Sequence, residues 1–541
     1  MMEKAPMPVA GANALFQEEH MKSQRINVLL IAAVLLLAMI MPAIAQVYPL
    51  KNAPTLTYWM GSNVAWSNRY KTLGDTPFGI ELAKRTGVTV TYTHPPAAQA
   101  PQNFNLMLAS GEMTDLIQNS FVDLPGGPDK LIKDGYIMRL NEAFTKWAPN
   151  LMAYLKAHPD VDKMIKTDEG NYYGFPFIRT ADKLMVFQGP ILRQDWLDEL
   201  KLPVPETIDD WTKTLRAFKE KKGATAPFAM APYWGPSFGD WKSPAFSGAY
   251  GAIKDWYVEN GKVHYGPAEP QYKQFLELWA SWYKEGLIDP NIAMADTKTR
   301  DALMVAGKMG ATDGTLAGGI GYYIRLMAAT DPKARFVGAS YPVLKKGDKP
   351  KFGQRDLPFT KVAVAISAKT KNLETAVRYL DYGYSAEGAM YYNFGTPGVS
   401  YNMVNGYPTY TELIMKNPKL SLSEIMGEYI RGSYDGPFLQ DPRYMEQYAG
   451  LPVQQAALTA WSNTDAAKHI MPNLTPDGPD VAEMSKIMSE VNTFVNESFT
   501  KFVIGADPVS NFDKYSSTLK KLNIDRAIAI YQKAYDAFQK R

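Results

Sequence analysis

Residues 56–92 read LTYWMGSNVAWSNRYKTLGDTPFGIELAKRTGVTVTY, and their periodicity decides the fold class. Leu56 to Met60 is short, apolar and aromatic, the pattern of a strand. After a loop to Asp75, Pro77 to Arg85 places Ile80, Leu82 and Ala83 on or near one helical face, and Gly87 ends that helix. Val88 to Tyr92 then alternates with the two-residue period of another strand. Strand, helix and strand in this order make a parallel β-α-β unit, so the chain opens as an α/β lobe.

The same grammar continues downstream. Asn103 to Ala109 reads as a helix, Ser110-Gly111 breaks it, and Asp115-Leu116-Ile117 is a further parallel strand. A second cycle starts with an apolar strand at Lys183 to Phe187 and a helix at Arg193 to Leu200, with Trp196, Leu197 and Leu200 on one face. Thr207 to Phe218 opens like a capped helix and turns Trp211, Leu215 and Phe218 inward. Gln271 to Gly286 carries Phe275, Leu278, Trp279, Trp282 and Tyr283 at helical spacing, a core stripe. Near the end, Val481, Met484, Met488, Val491, Phe494 and Val495 form one amphipathic helix. Ile524, Ile528, Tyr531, Tyr535 and Phe538 form another, with a turn at Gly505 to Pro508 between them. The heptad does not persist, so the pair packs back on a lobe rather than forming a coiled coil.

Upstream, residues 21–46 read MKSQRINVLLIAAVLLLAMIMPAIAQ. Lys22 and Arg25 form a basic n-region, Val28 to Met41 an apolar core and Ala43-Ile44-Ala45 a small-residue cleavage site, the layout of a secretory signal peptide. The core is shorter than the ~20 residues a spanning helix needs. We expect translation to start at Met21, residues 1–20 to be an extra N-terminus, and cleavage to follow Ala45. About 500 residues remain, more than one hydrophobic core usually organises, so two lobes are expected.

Composition narrows the chemistry further. The 541 residues are 46% hydrophobic and 21% charged, with a net charge of +3 and no basic cluster, which disfavours nucleic acid as a partner. With no cysteine there is no disulfide, no thiolate metal site, no thiol nucleophile and no residue to carry a bacterial lipid anchor. The five histidines are scattered and form no zinc motif. No GxSxG, GxxxxGK[ST] or GxGxxG motif occurs. Acidic pairs such as Asp168-Glu169 and Asp209-Asp210 read as solvated surface rather than as a glycosidase pair. Aromatics make up 12% of the chain, and several lie in Gly- and Pro-rich stretches, where flat apolar faces suit sugar rings: Tyr58, Trp59, Trp66, Tyr233, Trp234, Phe238 and Trp241.

Several stretches together give a family resemblance: FNLMLASGEMTDLI from Phe104, EGNYYGFPF from Glu169, LRQDWLDELKLPVPETIDDW from Leu192, VENGKVHYG from Val258, WASWYKEGLIDP from Trp279, NFGTPGVSYN from Asn393 and IYQKAYDAF from Ile530. They resemble the family 1 extracellular solute-binding proteins of carbohydrate ABC transporters, in particular the LipO-like branch that includes periplasmic alginate-binding proteins. The resemblance implies a two-lobed α/β fold of the periplasmic binding protein type (type II-like). Its ligand cleft lies between lobes joined by about three crossover strands, placed near Thr180, Thr312 and Thr360. The implied lobes are 46–180 with 313–360, and 181–312 with 361–541. It also implies a soluble, monomeric periplasmic protein with no catalytic residues, which closes by hinge motion on an oligosaccharide, uronate-containing in the alginate binders, and presents it to a membrane permease.

On that reading the ligand-binding candidates are Trp59, Asn63 and Trp66 after the first strand, Arg179 beside the first crossover, Tyr233, Trp234 and Trp241 in the second lobe, Asp313, and Tyr434 and Phe438. The relatives' calcium loop has no counterpart. Its place reads KEKKGATAPF, Lys219 to Phe228, without the oxygen ligands calcium takes, so neither metal nor other cofactor is expected. The alternatives are a secreted polysaccharide-processing enzyme, and a peptide-binding or sensor protein on the same fold.

Overall fold

The computed structural model describes residues 47–96, 99–230, 244–432, 435–476 and 478–541. The segment read as extra N-terminus and signal peptide therefore lies outside the described residues, as do Tyr233, Trp234, Trp241 and Tyr434. In chain order the strands are β1 (Leu56–Trp59), β2 (Val90–Thr93), β3 (Leu116–Ser120), β4 (Phe175–Arg179), β5 (Gln188–Arg193), β6 (Trp256–Glu259) and β7 (Lys262–Tyr265). There follow β8 (Ala311–Thr315), β9 (Phe336–Gly338), β10 (Phe359–Ile366), β11 (Tyr401–Val404), β12 (Tyr407–Tyr410) and β13 (Leu439–Gln440).

The opening unit forms as its pattern predicts. β1 runs parallel to both β2 and β3, and the connecting helix Pro77–Thr86 is capped by Thr76, whose side chain accepts from Gly79 N. Gly87 ends the helix at φ 73°, and a Cβ there would come within 2.3 Å of the Leu50 carbonyl oxygen, so both the backbone angle and the space call for glycine. The strand expected at Val88–Tyr92 begins two residues later, at Val90.

Two sheets organise Pro49–Arg541. The larger has the order β13-β4-β10-β3-β1-β2, and the smaller, β8-β5-β9, is antiparallel throughout. Around the smaller sheet the aromatic stripe of the sequence packs edge to face: Phe246 lies 5.0 Å from Trp211, 5.1 Å from Phe228 and 5.1 Å from Trp282. The helix Ile208–Lys222 opens as a capped helix, with a capping box between Thr207 and Asp210. Gly478–Val503 is one long helix packed on Tyr272–Glu285, and Ile524–Lys540 packs against it and β7. A further helix, Phe512–Lys521, occupies the connection after the expected turn. No helix among the described residues is long and apolar enough to cross a membrane.

The chain passes between the sheets three times: in residues 180–187, 339–358 and 441–451, the last leading to the helix Pro452–Ser462 on β9 and β5. Thr180 and Thr360 lie beside two of these passages. Thr312 instead sits inside β8, paired with Ile191. Residues 336–338, expected with the first lobe, pair with β5, whereas 361–366 and 439–440, expected with the second, belong to the larger sheet. The apolar run Lys183–Phe187 is not a strand. Leu184, Met185 and Val186 are buried because they pass beneath another crossover, and the strand begins only at Gln188.

Asp381 closes the larger lobe's helical layer and yields a pH prediction. Its fully buried carboxylate accepts from Asn150 N at 3.2 Å, Asn150 Nδ2 at 2.7 Å and Leu151 N at 2.9 Å. Burial outweighs these donors and raises the carboxyl from its ordinary value to about 6. Between pH ~4 and ~6 the folded state therefore holds a proton the unfolded chain has released, and stability is lost as pH rises through that window, by about 3 kcal/mol. The unfolding free energy measured against pH is expected to fall less steeply there in Asp381→Asn, and superimposable profiles would contradict this assignment.

Candidate functional site

Because β1 and β3 are parallel and β10 antiparallel, the carboxyl ends of β1, β3 and β4 and the start of β10 share one edge of the larger sheet; Val362 pairs with Ser120 and Phe359 with Ile178. The crossovers leave from that edge, where open α/β sheets present their ligand crevices. Backbone and side-chain bonds fix them side by side. Arg179 N donates to Pro358 O at 2.8 Å, Thr180 Oγ1 to Gln440 O at 2.7 Å and Asp356 N to Met185 O at 2.9 Å.

Gln354 is the knot between two passages. Its Oε1 accepts from Phe187 N at 2.8 Å and Gln188 N at 3.3 Å, while its Nε2 donates to Met185 O at 3.3 Å. Its own backbone N donates to the Tyr341 hydroxyl at 2.9 Å, which donates to Gln188 O at 2.5 Å. A buried amide with both ends bonded in this way holds the two passages in register.

Two cavities with walls from both lobes meet at Asp356. One, of about 450 Å³, is lined by Arg179, Gln188, Thr315, Gln354, Gln440 and the stacked pair Tyr444 and Tyr448, whose rings are 5.5 Å apart. The other, of about 690 Å³, lies between Asp123, Thr360 and Lys361 on one side and Trp256, Asn473, Met484 and Tyr531 on the other. Trp256 and Tyr531 pack edge to face at 4.6 Å. Aromatic pairs beside convergent amides and carboxylates suit a polyhydroxylated ligand: C–H faces lie on rings and hydroxyls meet the polar groups. Gln440 Oε1 and Thr360 Oγ1 are buried acceptors without a hydrogen-bond partner among the described residues.

Of the candidates read from the sequence, Arg179 lines the smaller cavity, paired with Asp356 at 2.8 Å. Asp313, 6% exposed, accepts from Gln188 Nε2 at 2.6 Å directly beside that cavity. Asn63 caps the helix Val64–Ser67, accepting from Ala65 N at 2.9 Å. Trp59 packs on Phe104, and Trp66, fully buried, sits edge-on to His94 at 4.9 Å. Phe438 is not on an open loop but fully buried between Tyr392 at 5.0 Å and Phe177 at 5.1 Å. These three rings are packing residues here. Gln188, Gln354, Asp356, Gln440, Tyr444 and Trp256 were not singled out from sequence: Gln188, Trp256 and Gln440 sit at strand ends, Gln354 and Asp356 in coil and Tyr444 on a seven-residue helix, where periodicity marks no single residue. Lys219–Phe228 closes the helix Ile208–Lys222 through Gly223 at φ 64° and offers no carboxylate after that turn, so it does not fit calcium. Among the described residues no group of three or more His, Asp or Glu is arranged to hold a metal.

Known proteins share this architecture. The chain is 28% identical to lipoprotein LipO of Bacillus subtilis (strain 168) over 357 residues, covering 64% of this chain and 67% of LipO. It is 24% identical to the fructooligosaccharide ABC transporter substrate-binding protein FusA of Streptococcus pneumoniae serotype 4, over 85% of this chain and 86% of FusA. The crystal structure of alginate-binding protein AlgQ2 without calcium ion superposes with a TM-score of 0.70 at 25% identity, covering 90% of this chain and 98% of that one. Residues 75–390, more than half the chain, match the family model for bacterial extracellular solute-binding proteins, and the chain belongs to that family, as its sequence stretches implied.

Proposed function

We propose that this protein is the periplasmic substrate-binding component of an ABC importer, that it takes an oligosaccharide into the interlobe cleft, and that it delivers the sugar to a membrane permease. The observation that carries the reading is the pair of aromatic-walled cavities meeting at Asp356, at the edge from which all three crossovers spring. A ligand touching both lobes there is bound better by the closed arrangement, so it shifts the population toward closure, the form a permease recognises. FusA and AlgQ2, whose names record a fructooligosaccharide and alginate, support a saccharide as the cargo class. The reading assigns no catalytic residue and no cofactor, and takes the protein to act as a monomer.

Thermal unfolding of the purified protein with a panel of tri- and tetrasaccharides, and with peptides as controls, tests it. At a hundred times its dissociation constant a cognate sugar adds about 2.7 kcal/mol, which moves the midpoint by a few degrees. Repeating the series with calcium and with chelator is expected to leave the shift unchanged. A shift with peptides alone would discard the saccharide reading, and product released from the sugars would replace it with an enzyme.

A further inference from the structure

We infer that the cleft selects uncharged oligosaccharides and discriminates against uronate-containing ones. This rests on the oligosaccharide reading above and narrows it. Every cation lining the two cavities among the described residues has a carboxylate of this chain beside it: Arg179 Nη1 lies 2.8 Å from Asp356, an ion pair without an aligned hydrogen bond, Arg355 pairs with Asp182 at 2.8 Å and Lys361 with Asp123 at 2.9 Å. Asp255 adds a further carboxylate to the larger cavity, and Asp313 stands beside the smaller. Asp435 lies behind Arg179, its carboxyl raised by burial against the pull of Arg179 and Arg431. The walls thus present acceptors and cations already paired within the chain, and a uronate must compete with one of those carboxylates or sit beside one. A neutral sugar needs neither. Its hydroxyls donate to Asp356 or Asp123 and accept from the cation paired with that carboxylate, the Arg179 guanidinium or the Lys361 ammonium, so each existing ion pair becomes a two-sided hydroxyl contact.

Titration calorimetry of the full protein with nystose, maltotetraose and stachyose, and in parallel with tetragalacturonate and tetramannuronate, decides the matter. At least one neutral tetrasaccharide is expected to bind tighter than either uronate by about tenfold or more, because like-charge juxtaposition is strongly disfavoured at an interface. In Asp356→Asn, which releases Arg179, and independently in Asp123→Asn, which releases Lys361, the gap is expected to narrow, with folding of each variant checked by its unfolding midpoint. A uronate that binds the unaltered protein as tightly as the neutral sugars overturns the inference and leaves the oligosaccharide reading standing. Absence of binding by all five sugars overturns both.

Discussion

Arg193→Ala is expected to destabilise the protein by about 3–5 kcal/mol, the cost of breaking a buried ion pair from one side. Arg193 ends β5 with its side chain 2% exposed. Its Nε and Nη2 donate to Asp195 at 2.9 and 2.6 Å, and Nη2 also reaches Asp331 at 2.6 Å. The guanidinium lies 5.0 Å from the Trp196 ring. Burial pushes the Asp195 carboxyl up, but the Arg193 fork and the Arg335 N–H outweigh it and hold the group below the ordinary carboxylate range. Alanine removes that fork and leaves Asp195 with the Arg335 N–H at 3.1 Å. Lysine restores charge but not the planar two-point contact, so Arg193→Lys is expected to recover only part of the loss. Urea unfolding followed by tryptophan fluorescence reads both variants, and a shift worth under about 1 kcal/mol in Arg193→Ala would contradict this account.

Trp461→Ala carries a loss of similar size, about 3–5 kcal/mol for deleting a buried indole, and it reaches the cleft. Trp461 is fully buried on the helix Pro452–Ser462 and lies flat on Gly189 of β5; a Cβ at residue 189 would approach the indole to 2.6 Å. On β9, a Cβ at Gly338 would meet Ala457 at 2.4 Å. The two glycines let the helix dock against bare backbone. The indole Nε1 donates to Ala339 O at 3.0 Å, so truncation also orphans a buried carbonyl. Gly189 adjoins Gln188, a wall residue of the smaller cavity, and the variant is expected to lose sugar affinity together with stability. Gly189→Ala is expected to reproduce both losses through overpacking. Intact affinity in a destabilised Trp461→Ala would separate this helix from the site.

The readable parts of the fold were those whose burial has a period. The β-α-β opening, the helix Ile208–Lys222 and the stripe of Tyr272–Glu285 each bury one face, so apolar spacing reports them directly. The crossovers have no such face. Leu184, Met185 and Val186 are buried on all sides without alternation, which makes coil look like strand, and β13, two residues long, leaves no pattern at all. Aromatics were ambiguous for another reason: ring burial on core helices and ring exposure in a cleft draw on the same residue types. Trp66 and Phe438 went to the core, while Trp256, Tyr444 and Tyr448 took the walls. Of the charged candidates, Arg179 ends β4 and lines the smaller cavity, whereas Asp313 lies inside β8 and touches that cavity's wall only through Gln188.

The position of β10 has a kinetic consequence. It lies between β3 and β4, so strands separated by some sixty residues cannot pair with each other and wait for a partner almost two hundred residues beyond β4. The three parallel strands at the start assemble from local contacts, but the larger sheet stays split, with open edges on β3 and β4, until residues 359–366 insert. Loop closure over such distances is entropically slow, so this insertion is expected to limit the rate of folding. Those waiting edges are also the places where the incomplete chain would pair with a second copy, so concentration rather than temperature is expected to limit the yield of refolding.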